Sequence, residues 1–195
     1  NLFDEIKVRG EDSAPDFITL DSADGGSGAA PQPLMDFMGL TIKESLPILI
    51  DHLVGYGLRD RVRVICSGKL ISPSGVAWAL CMGADFIVSA RGFMFAMGCI
   101  QAMQCNKNTC PTGITTHRQS LQRGLDPEDK ALRVRNYARN MLHDVGVIAH
   151  SCGVKAPREL RRGHARVVTT DGVSVGLDEI HPEILTGFPH GKPKE

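Results

Sequence analysis

Three short runs, DFITLD (residues 16–21), RVRVIC (61–66) and DFIVSA (85–90), are rich in apolar and β-branched side chains, and each gives way to small or polar residues. Runs of this length and makeup read as buried strands of a parallel sheet. Between the first two lies MGLTIKESLPILIDHLVGYGL, in which Thr41 is placed to cap a helix with Glu44 three positions on, and Gly57 to close it. Between the second and third, Ser72 precedes Pro73 at an expected first helical position, and GVAWALCMGA follows. The order is β-α-β-α-β. Such a chain is restricted to right-handed crossovers and a parallel sheet, in a barrel or in a doubly wound layer.

The character changes after Cys110. DPEDKALRVRNYARNMLHDVGVIAHSCGV carries Leu132, Tyr137, Met141, Leu142 and Val145 near helical spacing with charges between them, which predicts a long amphipathic helix. APRELRRGHA reads as a second short helix, TDGVSVGLDEI as a small hairpin around Asp171-Gly172, and the final PHGKPKE as disordered. The opening NLFDEIKVRGEDSAPD reads as the end of a helix and a loop entering the first strand. A start at Asn1 in such a segment suggests a piece of a larger protein.

A chain of 195 residues, 42% of them hydrophobic, buries one sizeable core. Its 22 basic and 22 acidic residues cancel, so no net field draws in nucleic acid or an anionic membrane. No run approaches the roughly 18 apolar residues of a membrane span, and no secretory pattern opens the chain. The expectation is a soluble, cytoplasmic protein with neither nucleic acid nor membrane as partner.

Chemistry concentrates where the strands end. The first runs into SADGGSGAAP, with Gly25, Gly26 and Gly28; the second into Ser67, Gly68 and Lys69; the third into SARGFMFAMG, with Arg91. Glycines let backbone N–H groups approach a flat or anionic ligand, and a helix N-terminus behind a cation favours phosphate. A plain glycine-rich connection would explain any one loop. Three on the same edge mark the place where parallel α/β folds bind ligands.

Three of six cysteines, Cys99, Cys105 and Cys110, fall within twelve positions at C-x5-C-x4-C spacing, with Pro111 directly behind. Cys66 and Cys81 lie in apolar surroundings typical of reduced core thiols. The trio suits iron–sulfur or zinc. A structural zinc site wants four ligands with C-x2-4-C pairs, and three suit a three-iron cluster better. Three incidental loop thiols, His150 with Cys152 as metal ligands, and a Cys105/Cys110 redox pair stay open as further readings.

The stretches DSADGGSGAAP, CSGKLISP, ADFIVSARGFMFAMGC and above all CIQAMQCNKNTCPTGITTH resemble the FMN-binding synthase domain of glutamate synthase, in particular the smaller glutamate-synthase-like proteins without an amidotransferase part. The resemblance runs from about residue 16 to about residue 168. It implies an α/β fold forming the C-terminal portion of a (β/α)8 TIM barrel, followed by a cysteine-rich cluster loop and helices, with residues 1–168 as the barrel part and 169–195 as a tail. It also implies FMN at the strand C-termini, with Asp24, Gly25 and Gly26 bordering the isoalloxazine and substrate side. Ser67, Gly68, Lys69, Ser89, Ala90 and Arg91 would hold the FMN phosphate, and Cys99, Cys105 and Cys110 a [3Fe-4S] cluster. The activity implied is that of an oxidoreductase making glutamate from 2-oxoglutarate and ammonia, with electrons from a ferredoxin or an NAD(P)H-dependent reductase subunit. The large glutamate synthases carry paired glycines where this chain has Ser67-Gly68, and Gly-Thr where it has Ala90-Arg91. With about three of eight strands present, the remainder of the barrel becomes a required partner. A non-catalytic barrel fragment and a zinc-binding structural module are the competing expectations.

Overall fold

The computed structural model describes residues 2–184 except 27, 29, 36 and 37. The expected disorder of PHGKPKE therefore falls outside the described residues. Helix α1 (Leu2–Arg9) leads into strand β1 (Phe17–Asp21), helix α2 (Ile42–Gly55), strand β2 (Arg63–Ser67), helix α3 (Pro73–Met82) and strand β3 (Phe86–Val88). The three strands form a parallel sheet in the order β1-β2-β3, with Ile18 opposite Val64 and Cys66 opposite Ile87. The alternation expected from the sequence is present. The helix starts also lie where their capping residues lie: the Glu44 carboxylate accepts from the Thr41 N–H and hydroxyl, both at 2.8 Å, and Ser72 Oγ accepts from the Gly75 N–H at 3.2 Å ahead of Pro73.

The sheet is covered on one face. Val64 and Cys66 are fully buried there, with Ile18, Leu20 and Ile87 beside them, against a core built from Leu46, Leu53, Leu58, Val62 and Met82. The opposite face presents Phe17, Phe86 and Val88 at 58%, 59% and 41% exposure. Among the described residues the sheet does not close into a barrel, and β1 and β3 are its edges.

Helix α4 (Ala90–Ala96) follows β3 at once; the cysteine loop, the short helix α5 (Gln119–Gln122) and the long helix α6 (Pro127–Ser151) come next. Asp126 caps α6, its carboxylate accepting from the Glu128 N–H at 3.1 Å. Val145 and Ala149 are the buried residues of α6, whereas Leu132 and Leu142 stand exposed at 53% and 75%. The apolar stripe is thus narrower than the spacing implied, because α6 rests on α3 and α4 along one seam.

APRELRRGHA is not a helix but two single 3-10 turns, Pro157–Glu159 and Arg162–His164. Their extended junction lets the Arg162 guanidinium turn inward. It pairs with Asp51 of α2 and donates to the carbonyls of His181 and Pro182 at 2.9 and 3.0 Å. Strands β4 (Arg166–Val168) and β5 (Ser174–Gly176) form the expected antiparallel hairpin, with Gly172 at φ +81° in its turn. Helix α7 (Leu177–Ile180) follows with Leu177 in the core. A boundary at 168 passes through this hairpin, so residues on its two sides pack as one unit.

Candidate functional site

The β1 loop is organised by Asp24, whose side chain is only 12% exposed. One carboxylate oxygen accepts from the Ile42 N–H at 2.7 Å, capping α2, and from Ser22 Oγ at 2.8 Å; the other lies 3.9 Å from Lys69 Nζ. Asp24 is therefore engaged in holding the loop together. Gly68 shows why the next loop needs a glycine: a Cβ there would overlap Ser22 Oγ and approach Ile42 Cβ to 2.8 Å. The two loops touch at that point, and Lys69 turns away through a left-handed φ of +45°. For a residue with a side chain that conformation costs about 1–2 kcal/mol, which places Lys69 among the strained positions that cluster at ligand sites.

At the end of β3, Ala90 opens α4 and Arg91 swings its guanidinium over Gly26, where a Cβ would meet Nη2 at 3.0 Å. Arg91 is half-buried and makes neither a hydrogen bond nor an ion pair with any described residue. A partly desolvated guanidinium has the charge and donor geometry that suit an anion. Ser89 faces elsewhere, its hydroxyl donating to the Leu70 carbonyl at 2.6 Å and lying 3.0 Å from the Tyr137 hydroxyl.

The cysteine loop leaves α4 through Gly98 at φ +100° and holds three non-glycine residues, Gln101, Met103 and Asn108, in left-handed conformations. It is tied down at Asn108. Buried Thr116 donates its hydroxyl to the Asn108 carbonyl at 2.8 Å, and the His117 N–H donates to Asn108 Oδ1 at 2.6 Å. Cys99, Cys105 and Cys110 are all half-buried and none is in a disulfide.

The thiols differ in acidity. Burial pushes the Cys110 thiol up, but the Thr112 hydroxyl at 3.3 Å and the neighbouring Thr115 and Thr112 groups outweigh it and bring the pKa down to about 6. The buried Thr115 hydroxyl oxygen has no hydrogen-bond partner among the described residues. Cys66 and Cys81 go the other way, burial alone pushing Cys66 to about 12 and burial with nearby Cys152 pushing Cys81 to about 11.

All these loops wall one cavity of about 500 Å³. Asp24, Gly25 and Gly26 contribute from the first loop, Ser67, Gly68 and Lys69 from the second, Ala90 and Arg91 from the third, and Cys99, Cys105 and Cys110 from the cysteine loop. A Cβ on Gly28 would touch Cys105 Cβ at 3.8 Å, so the first loop packs beside Cys105. Of the sequence-predicted residues only Ser89 stands off the wall. A larger hollow of about 1100 Å³ opens at the opposite edge of the sheet, where Arg59 pairs with Asp85 at 3.0 Å and Arg162 with Asp51. His150 is exposed, its Nε2 lying 3.3 Å from the Lys155 carbonyl, and Cys152 packs against the core, so the two do not form a ligand pair.

Among the described residues no three His, Cys, Asp or Glu side chains are close enough to grip a single metal ion. A cluster takes one thiolate on each of several irons and so needs thiols set farther apart. Three reduced thiols around one cavity, one of them already acidic, fit that donor chemistry. Sequence reasoning missed Thr112 and Thr115, which tune Cys110, and Asn108 with Thr116, which anchor the loop. The run of threonines behind Pro111 was the available signal.

Glycine-rich and cationic loops at the carboxyl edge of a parallel sheet, facing three cysteines across one cavity, mark an α/β protein. The family described as "conserved region in glutamate synthase" matches residues 2–155, and the chain belongs to it. It is 39% identical over 179 residues to the glutamate synthase large subunit-like protein YerD of Bacillus subtilis (strain 168), covering 92% of this chain and 34% of that protein. It is 31% identical over 173 residues to the archaeal glutamate synthase (NADPH) of Methanocaldococcus jannaschii, covering 89% and 33%. An archaeal-type glutamate synthase (NADPH) of Thermotoga maritima is 29% identical over 177 residues, covering 91% and 34%. The chain thus spans about a third of the length of these relatives.

Proposed function

We propose that this chain supplies the cofactor-holding part of a glutamate synthase-like oxidoreductase, an arc of a (β/α)8 barrel that binds FMN and a [3Fe-4S] cluster in the shared cavity. The observation that carries the reading is that three βα loops and three cysteines wall one space of about 500 Å³. Cover on a single face of the sheet supports a barrel arc, since a doubly wound layer carries helices on both faces. When bound, the cofactors supply the electron transfer and hydride chemistry for reductive amination of 2-oxoglutarate to glutamate.

The chain's own residues do the holding. Arg91, half-buried and without an ion pair among the described residues, takes the phosphate together with Lys69, which Asp24 steadies at 3.9 Å. Gly25 and Gly26 keep side chains off the face where the flavin ring and the oxoacid lie. Cys99, Cys105 and Cys110 hold the cluster, and the threonines around Cys110 favour the thiolate that ligation requires.

For the electron donor, a ferredoxin or an NAD(P)H-dependent subunit, the cysteine loop supports an acidic docking partner. No Asp or Glu occurs between Asp85 and Asp126, and Lys107, Arg118 and Arg123 are exposed without ion pairs among the described residues. No described helix is long and apolar enough to cross a membrane. The bare apolar face of the sheet favours a second reading, in which this chain alone is a non-catalytic fragment until the rest of the barrel covers Phe17, Phe86 and Val88.

Anaerobic reconstitution with iron and sulfide tests the proposal. The expected result is a brown protein with about three irons and acid-labile sulfide, retained in Cys81→Ser and lost in Cys105→Ser. Zinc without sulfide, or equal iron in both variants, would refute the ligand assignment.

A further inference from the structure

We infer that Tyr137 of α6 is a positioning residue for the anion-binding pair Lys69 and Arg91, an inference that rests on the reading of those two loops as a phosphate site. Tyr137 lies far along the chain from both loops and does not line the cavity. Its hydroxyl donates to the Ile71 carbonyl at 2.8 Å and lies 3.0 Å from Ser89 Oγ, which donates to the Leu70 carbonyl at 2.6 Å. Two hydroxyls and two carbonyls form one polar knot, with Tyr137 as the member contributed from outside the sheet.

Each end of that knot sits beside a cation. Leu70 and Ile71 directly follow Lys69, whose left-handed backbone is closed by the Ile71 N–H donating to the Lys69 carbonyl at 2.9 Å. Ser89 precedes Ala90 and Arg91 at the mouth of α4. The hydroxyl of Tyr137 therefore fixes the separation between the two loops from behind.

Independent features show that the surroundings are shaped to admit it. Gly92 has no side chain where any Cβ would overlap the Tyr137 hydroxyl and come within 2.7 Å of Ser89 Oγ. Phe93 meets the tyrosine ring edge-on, centroids 5.1 Å apart at 81°. The phenol is thus held in one orientation, and the hydroxyl is the group that speaks to the loops. A packing role needs the ring; a positioning role needs the oxygen.

The test removes the oxygen alone. Flavin fluorescence titrations of the full chain and of Tyr137→Phe compare FMN with riboflavin, which lacks only the phosphate. The expected result is a loss of about tenfold in FMN affinity with riboflavin affinity unchanged, on the scale of one well-made hydrogen bond. Ser89→Ala should give the same phosphate-selective loss, and the double variant little more than either alone, because both act through one network. If Tyr137→Phe folds poorly, the Ser89→Ala titration carries the test. Unchanged FMN preference in either folded variant, or equal losses for both flavins, overturns the inference. Failure of the unsubstituted chain to prefer FMN over riboflavin instead overturns the phosphate reading beneath it, and the inference with it.

Discussion

At the scale of single residues, acidity sets Cys110 apart from the buried Cys66 and Cys81. Between about 6 and its ordinary 9.0, Cys110 is ionised in the folded chain and protonated in the unfolded one. The unfolded state then binds the extra proton, so this group's contribution to stability rises with pH across that window and is lost as pH falls through about 6. In metal-free protein, alkylation of Cys110 should follow a midpoint near 6, while Cys66 and Cys81 stay inert at neutral pH; mass-spectrometric mapping of carbamidomethylated peptides checks both. The glycines divide in the same way. Gly68→Ala should lower stability by about 1–3 kcal/mol, since the new methyl has nowhere to go between Ser22 and Ile42. Gly146→Ala, inside α6 with open space around it, should raise stability by about 0.5–1 kcal/mol. Denaturant melts of the two variants should move in opposite directions. The residue types at the site were legible in the sequence, because cations and glycines after strands have a local cause. The threonines that acidify Cys110 were not, because their effect depends on how the loop folds back on its own sulfur.

At the scale of elements, strands and capped helices were read from local pattern because local chemistry decides them: Thr41 with Glu44 and Ser72 with Pro73 each act within a single turn. The segment around Arg162 was misread as a helix because its conformation is set from a distance, by Asp51 more than a hundred residues earlier. The side chains of that pair are only 8% and 21% exposed, so removing one partner strands a charge in the interior. Asp51→Ala should cost about 3–5 kcal/mol and release α7 and the β4-β5 hairpin first. Hydrogen exchange should show early loss of protection over residues 160–182 while β2 stays protected. Exposed Leu132 and Leu142 make the complementary point: helical spacing marks which residues are apolar, and only the packing partner decides which of them face inward.

At the scale of the whole molecule, the parallel sheet followed from the β-α-β-α-β pattern, but the strand order, the cover on one face and the extent of the sheet did not, since no local signal tells a chain which strands lie side by side or how many join them. Phe17, Phe86 and Val88 on the bare face predict self-association of the isolated chain. Sedimentation velocity should show a concentration-dependent rise in mass, suppressed when the chain is co-expressed with the remaining two-thirds of a relative. Among the described residues the sheet has an unpaired edge on each side, at β1 and at β3, and the loops after all three strands wall one cavity. On the barrel reading proposed above, both borders are open to further strands, whether these belong to the same polypeptide or to a separate one.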